Sequence, residues 1–265
     1  TLRAEVYFLE DWPAAKRNLG VTYAKGTYLV FLDDDVEISP YCAYEFVQWM
    51  EDHPTCGMAF AKIYKMEEGR RDEFDAVGSW LTWTGFLYDR AGNGQRDRGQ
   101  YEATERILSA KSATCMVRRT SFLQCGGFDA DYQILGEETD LSWRHWLRGW
   151  EVWYVPTAVS WHAFGCESLK PKQDYYTIRR TMTYGCRNYL SLLWTNLGSL
   201  RLLPIFPIHL CAWLYAILGF CTRGDFLRAM GIMYGMSEFY LYLPYVLRKR
   251  QRIQSTRTIS DQELM

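Results

Sequence analysis

Apolar and polar residues fall in blocks along the chain, and the blocks have the lengths of strands and helices. Ala4–Leu9 is short and apolar-rich, as expected of a strand. Trp12–Ala24 reads as a helix, with Asp11 placed to cap it, Pro13 in its first turn and Gly26 as its stop. Thr27–Leu32 is a continuous β-branched and aromatic run, the pattern of a strand covered on both faces in a parallel sheet. Strand, helix and strand within about 30 residues is the βαβ signature of an α/β fold. Pro40–Asp52 predicts the next helix and Cys56–Tyr64 the next strand.

The pattern then breaks. Residues 66–106 are charged and Gly-containing, with Trp80, Trp83, Phe86 and Tyr88 interleaved, as expected of a functional insertion or lid. Regularity returns with a strand at Thr114–Val117 and a turn at Gly126-Gly127-Phe128-Asp129. Trp143, Trp146, Leu147 and Trp150 have the spacing of one helix face, so Glu138–Arg148 predicts an amphipathic helix closed by Gly149. Strands are expected at Glu151–Val155, stopped by Pro156, and at Ala158–Trp161, running into His162.

Composition changes near residue 168, which divides the chain into an α/β part (1–168) and a helical part (169–265). Asp174–Trp194 looks helical. Leu202–Phe220 holds no Asp, Glu, Lys or Arg, and Phe226–Leu247 is mostly apolar, broken by Arg228, Glu238 and Pro244. Pro204 and Pro207 are expected to cut the uninterrupted helix of the first run to roughly 14 residues, about 21 Å, short of the ~30 Å hydrocarbon core. The two segments therefore read as helices lying in a membrane surface, with basic Arg248–Arg252 drawn to anionic lipid; true spanning and simple packing on the catalytic domain are the alternatives.

Charge sharpens this division. The net charge of −1 argues against a chain-wide nucleic-acid binder. Residues 1–169 carry 17 basic and 26 acidic side chains, however, whereas residues 170–265 carry 13 and 5. Two regions facing different partners are expected. Aromatic residues make up 16% of the chain, which suits sugar faces, membrane interfaces and protein contacts alike. The eight cysteines include no C-x-x-C pair, so they read as reduced cytosolic thiols and not as a metal knuckle.

Three features could carry chemistry. Asp33-Asp34-Asp35 follows a strand directly; three carboxylates there repel one another unless a cation or donors neutralise them. Ligands of open α/β sheets bind at such strand ends, and hard divalent cations take oxygen ligands that bridge to phosphate. The plainer alternative is a solvated acidic turn. Gly136-Glu137-Glu138-Thr139-Asp140 is a second acidic cluster at a helix start, where it either serves the helix dipole or offers a carboxylate base to a cleft. His162 ends a strand and is either structural or a metal ligand.

Together these features resemble a family 2 glycosyltransferase of the GT-A fold. The matching stretches are Lys16-Arg17-Asn18-Leu19-Gly20, Gly26 through Asp35, Arg118-Arg119 with Gly126-Gly127-Phe128-Asp129, Gly136 through Leu141, and Tyr154-Val155-Pro156 leading to His162. Arg187-Asn188 and the basic end look like the rhamnosyltransferase-like branch. The resemblance implies a mixed sheet flanked by helices, followed by a C-terminal helical membrane-associating region. It implies that Asp33 and Asp34, with Arg17 and Asn18, lie beside a nucleotide-sugar donor. Asp35 and His162, with Asp33 nearby, would hold Mg2+ or Mn2+ on the donor diphosphate. Glu138 would be the general base, with Asp140 holding the acceptor or the helix start and standing as the alternative base. Trp80 and Trp83 are expected on the acceptor side.

The implied reaction is inverting sugar transfer to the hydroxyl of a glycan or glycolipid, a lipid-linked or surface-polysaccharide saccharide, at the cytoplasmic membrane surface. The family opens with a further strand carrying a base-gripping Asp, so about the first quarter of the catalytic domain is expected to precede Thr1. Two other classes would leave different marks. A nucleotidyltransferase-like enzyme should show a Gly-rich, Lys-containing phosphate loop, which this sequence does not contain. A non-catalytic membrane-associated binding module should bind no nucleoside diphosphate.

Overall fold

The computed structural model describes residues 12–66, 71–92, 94–163 and 174–264. The strand expected at Ala4–Leu9 and the cap expected from Asp11 lie outside them. The front part runs α1 (Pro13–Tyr23), β1 (Tyr28–Leu32), β2 (Val36–Ile38), α2 (Cys42–Asp52) and β3 (Cys56–Lys65). Four short strands follow, β4 (Phe74–Ala76), β5 (Ser79–Leu81), β6 (Leu87–Asp89) and β7 (Glu105–Arg106). Then come β8 (Thr114–Arg118), α3 (Arg119–Gln124), α4 (Glu137–Leu147) and β9 (Glu151–His162). The back part is helical: α5 (Tyr175–Asn196), α6 (Ser199–Thr222), α7 (Phe226–Leu241), α8 (Leu243–Ser255) and α9 (Asp261–Leu264).

Among the described residues, the main sheet has the order β1-β8-β3-β9-β2, with β4 added to β3 and β7 to β9. Only the β3–β9 pairing is parallel. This is a mixed sheet flanked by helices, the α/β class that the resemblance implies. The first eight residues of β3 are buried, as expected of a central strand. β1 departs from its expected burial on both faces. Leu29 and Phe31 point into the core, whereas Val30 and Leu32 are exposed, so among the described residues only one face of β1 is covered. Pro156 does not stop a strand either. β9 continues through it to His162, and the register against β3 slips where Ala61 pairs with Val155 but Lys62 with Val159, a bulge that absorbs the missing N–H.

The segment 66–106 is better ordered than its sequence suggests. β5 and β6 form a separate hairpin, while β4 and β7 join the main sheet. Polar contacts hold the remainder: buried Lys62 pairs with Glu102 and lies 3.6 Å from Asp97, Tyr64 donates to Asp97, and Arg90 pairs with Glu105.

Two expectations about the helical part also change. α6 is continuous over 24 residues with Pro204 and Pro207 inside it. Each proline gives up the bond to the carbonyl four residues back, at Leu200 and Leu203. Both of those residues are exposed, so the helix can tilt these carbonyls outward without breaking. The apolar stretch 226–247 is two helices, with Pro244 in the first turn of α8. α7 approaches α5 closely: a Cβ on Gly235 would lie 2.4 Å from Thr183 O.

Among the described residues, the helical part shares its core with the front part. Leu190, Leu193, Phe206, Phe239 and Val246 share one buried cluster with Leu81, Leu108, Tyr132, Trp143 and Leu147 of the front part. The seven cysteines among the described residues are free thiols.

Candidate active site

Strand register brings Asp35 and His162 together. Val36 opens β2 and pairs with His162 at the end of β9, and Ala163 N donates to Asp35 O at 2.9 Å. The turn after β1 is tied down by Asp33 N donating to Ala113 O at 3.1 Å. As a result, one ligand atom from each of Asp33, Asp35 and His162 lies within 4.8 Å of the others. His162 Nε2 is 3.3 Å from Asp35 Oδ1. Asp34 is exposed on the turn.

Sequence reasoning missed the residue behind His162. The residue Asp75 on β4 is half-buried but its side chain is only 3% exposed, and its Oδ2 lies 2.8 Å from His162 Nδ1. A carboxylate on Nδ1 fixes the ring and leaves Nε2 toward Asp35, the arrangement that supports a metal-binding imidazole. Burial opposes the charge of Asp75, but the hydrogen bond to His162 and the charge of Lys111 hold its carboxyl below the usual range. Burial likewise opposes the imidazolium, and the bond and charge of Asp75 with the charge of Asp35 outweigh it and raise His162. Asp75 lies in the segment without periodicity, so no pattern in the sequence marks it.

The second acidic cluster starts α4. Gly136 precedes it with φ 97°, a left-handed turn that suits glycine. Glu137 and Glu138 are adjacent in the first turn of α4. Burial and the like charge of Glu137 push the Glu138 carboxyl up to about 8. Burial also raises Glu137, with the charge of Arg17 opposing. The pair therefore holds a proton near neutrality.

Arg17 on α1 links the two clusters. Its guanidinium lies 2.6 Å from Asp33 Oδ1 and 3.5 Å from Glu137 Oε1, and it donates to Ser112 Oγ at 2.9 Å. A cleft of about 330 Å³ is lined by Asp75, Asp89, Ser109, Lys111, Glu138 and Asn188, and Asp75 ties it to the cation-type cluster through His162.

Two expected site residues are engaged elsewhere. Asn18 donates Nδ2 to Phe128 O at 2.7 Å and accepts from Phe128 N at 2.9 Å, so both ends of its amide fasten the Gly127-Phe128 turn to α1. Asp140 is 0% exposed. It meets Arg144 at 2.8 Å and Lys249 at 3.0 Å, and accepts from Asn196 at 3.2 Å and Tyr132 at 3.3 Å. Burial works against its charge, but Arg144 and Lys249 prevail and bring its carboxyl down to about 2. Both oxygens are taken, so Asp140 is a structural hub and has no access to an acceptor.

Trp80 lies on β5 at 38% exposure and Trp83 at the tip of the β5–β6 hairpin at 77%. The hairpin stands on the helical part. Tyr189 of α5 donates to Gly85 O and accepts from Leu87 N, both at 2.8 Å, and His209 Nε2 of α6 meets Thr84 O at 2.9 Å. Phe86 lies against the His209 ring with centroids 4.1 Å apart.

The comparisons with known proteins concern this same framework. Residues 2–125 match the family model described as Glycosyl transferase family 2. The O-antigen biosynthesis protein RfbC of Myxococcus xanthus is 29% identical over 145 residues, 54% of this chain and 11% of that protein. An N-acetylglucosaminyl-diphospho-decaprenol L-rhamnosyltransferase of Mycobacterium tuberculosis is 42% identical over 62 residues, 23% of this chain and 20% of that protein. The chain thus spans a fifth or less of the length of these relatives. Among solved structures, GalNAc-T7 with UDP, GalNAc and Mn2+ aligns with 68% of this chain and 37% of its own at 20% identity and a TM-score of 0.47. The mannosyltransferase PcManGT of Pyrobaculum calidifontis with GDP-Man and Mn2+ aligns with 92% and 63% at 16% identity and 0.44.

Proposed function

The chain belongs to glycosyl transferase family 2 through its residues 2–125, and on that premise we propose that it moves a sugar from a nucleoside diphosphate donor to an acceptor hydroxyl. The observation that carries the reading is the bridge of Arg17 between Asp33 and Glu137, which joins the cation-type cluster to the acid pair. A glycosyl transfer needs both at once: charge neutralisation at the leaving group and a base at the nucleophile.

The donor atoms of Asp33, Asp35 and His162 fit a hard divalent cation, Mg2+ or Mn2+, since a spread within 4.8 Å allows each to reach one ion at about 2–2.5 Å. When bound, the cation would neutralise the diphosphate that departs. The chain's own residues do the rest. Asp75 holds the His162 ring, Arg17 orients Asp33, and Glu138 accepts the proton of the acceptor hydroxyl. The hydroxyl oxygen bonds to C1 as the C1–O bond to phosphate breaks, and the electron pair leaves on the nucleoside diphosphate. One displacement inverts the anomeric centre. Replacing Asp75 by Asn is expected to weaken cation affinity about 10- to 100-fold by freeing the imidazole. Titration calorimetry of Mn2+ with a nucleoside diphosphate measures this, and unchanged affinity would remove Asp75 from the role.

The proposed donor is dTDP-rhamnose or a UDP-hexose and the proposed acceptor a lipid-linked or surface-polysaccharide saccharide; the relatives' names, an O-antigen biosynthesis protein and a rhamnosyltransferase named for N-acetylglucosaminyl-diphospho-decaprenol, support the rhamnose and the acceptor class. Trp80 and Trp83, on a hairpin that stands over the helices, suit the faces of such an acceptor. The site assay is transfer from a panel of nucleotide sugars to a prenyl-diphosphate saccharide with and without Mn2+. No transfer and no nucleoside diphosphate binding would leave the binding-module reading.

The same proposal places the chain at the cytoplasmic membrane face. α6 has a mean hydropathy of 1.8 over an 18-residue window that is only 22% buried, and Leu200, Leu203, Leu214, Tyr215 and Leu218 are exposed. The basic run contributes less than its sequence suggests. Lys249 pairs with Asp129 and Asp140, and Arg250 donates to the carbonyls of Trp194 and Leu197 at the end of α5. Contact with lipid should therefore be mainly apolar. In fractionation, 1 M-scale salt should leave most of the chain with the membrane pellet and detergent should release it. Full release by salt would contradict the apolar face as the anchor.

A further inference from the structure

Among the places where the helical part meets the front part is the dipeptide Arg187-Asn188 on α5, and both side chains are buried. Asn188 Nδ2 lies 2.7 Å from Tyr132 O, 2.7 Å from Ile134 O and 2.8 Å from Leu135 O. Carbonyls only accept, so this amide nitrogen has to face them, and Asn188 Oδ1 is left to accept from Arg187 Nε at 2.9 Å. The Arg187 guanidinium then donates to Asp131 O at 2.7 Å and meets Glu238 of α7 at 3.4 Å. Two adjacent side chains thus hold the carbonyls of residues 131, 132, 134 and 135.

The segment they hold needs holding. Gln133 has φ 58° and Leu135 φ 67°, left-handed values that residues with side chains leave unless the surroundings impose them. Gly136 follows, and Glu137 and Glu138 form the first turn of α4 directly after it. The direction in which the acid pair leaves the loop is set by the backbone just before it.

We infer that Arg187-Asn188 is a positioning pair for the general base: it fixes the backbone of 131–135 so that α4 begins where Glu138 faces the cleft. The inference rests on the reading of Glu138 as that base. It gives the helical part a task in the reaction besides any contact with lipid. A loop that relaxes by about 1 Å is enough to cost a well-placed group on the order of 10²-fold in rate.

The test is Asn188→Leu, close in size but without donors, with Arg187→Lys as the milder variant and Glu138→Gln alongside. Transfer kinetics, nucleoside diphosphate affinity and thermal midpoint are measured on the full chain. The expected result is a kcat lowered about 10²-fold in Asn188→Leu and about tenfold in Arg187→Lys, with nucleoside diphosphate affinity within about threefold of the parent. If Asn188→Leu does not fold, the Arg187→Lys result decides by the same criteria. An inactive Glu138→Gln beside a fully active Asn188→Leu overturns the positioning pair and leaves the base in place. A common fall of kcat, nucleotide affinity and thermal midpoint overturns it in favour of a merely structural role. Full turnover in Glu138→Gln overturns the reading of the base, and the inference with it.

Discussion

Glu138→Gln lowers turnover about 10³-fold, the middle of the range for a positioned proton acceptor, and leaves nucleoside diphosphate binding within about twofold of the parent. Binding survives because the cation-type cluster is reached through Arg17, which touches Glu137 and not Glu138. The pH profile gives a second readout. With the Glu138 carboxyl pushed up to about 8 by burial and by Glu137, parent kcat rises with pH to a plateau above that value. The variant lacks this rise. Stability moves in the opposite direction. Folded Glu138 holds its proton more tightly than the unfolded chain does, so the parent loses stability as pH climbs from 4.5 to about 8, and the variant has a flatter curve. A Gln variant with parental turnover would send the search for the base to Glu137.

Asp140→Ala acts on the fold instead. It leaves Arg144 inside the protein without its counter-charge and Lys249 with only Asp129, and breaking a buried pair this way costs about 3–5 kcal/mol. Urea unfolding followed by tryptophan fluorescence measures the loss as a lower midpoint. The linkage has the opposite sign to that of Glu138. Asp140 titrates at about 2 when folded against 3.8 as its ordinary value. Its contribution is therefore full above about pH 4 and disappears as pH falls toward 2. An Asp140→Asn variant with parental stability but no turnover would return Asp140 to the chemistry.

The contrast between these two acids shows where the sequence was legible. Both sit in the first turn of α4, and the motif alone named both. They are two residues apart, about 200° around a helix of 3.6 residues per turn, so they face opposite sides. Arg144, four residues after Asp140, marks the inward side, and that spacing was present in the sequence. Strands with local patterns, such as β3 and β8, were also legible. So were Asp33, Asp35 and His162, which stand at strand ends. What escaped was long-range: Asp75 reaches His162 across 87 positions and Asn18 reaches Phe128 across 110. β1 is another such case, because its half-exposure depends on what packs against each face of the sheet and not on its own residues. Pro204 and Pro207 misled because a proline's cost depends on whether the carbonyl it displaces can turn outward.

Lys249 sits near the end of the chain, yet its charge closes a cage around Asp140 more than a hundred positions earlier. The two parts are therefore not freely interchangeable. Exchanging the C-terminal helices for those of a relative would remove this cation while its anion stays behind with Arg144 and Tyr132. Such a chimera is expected to lose stability unless the incoming helices bring a lysine or arginine to the same spot, and any graft of a new tail has to start from that requirement.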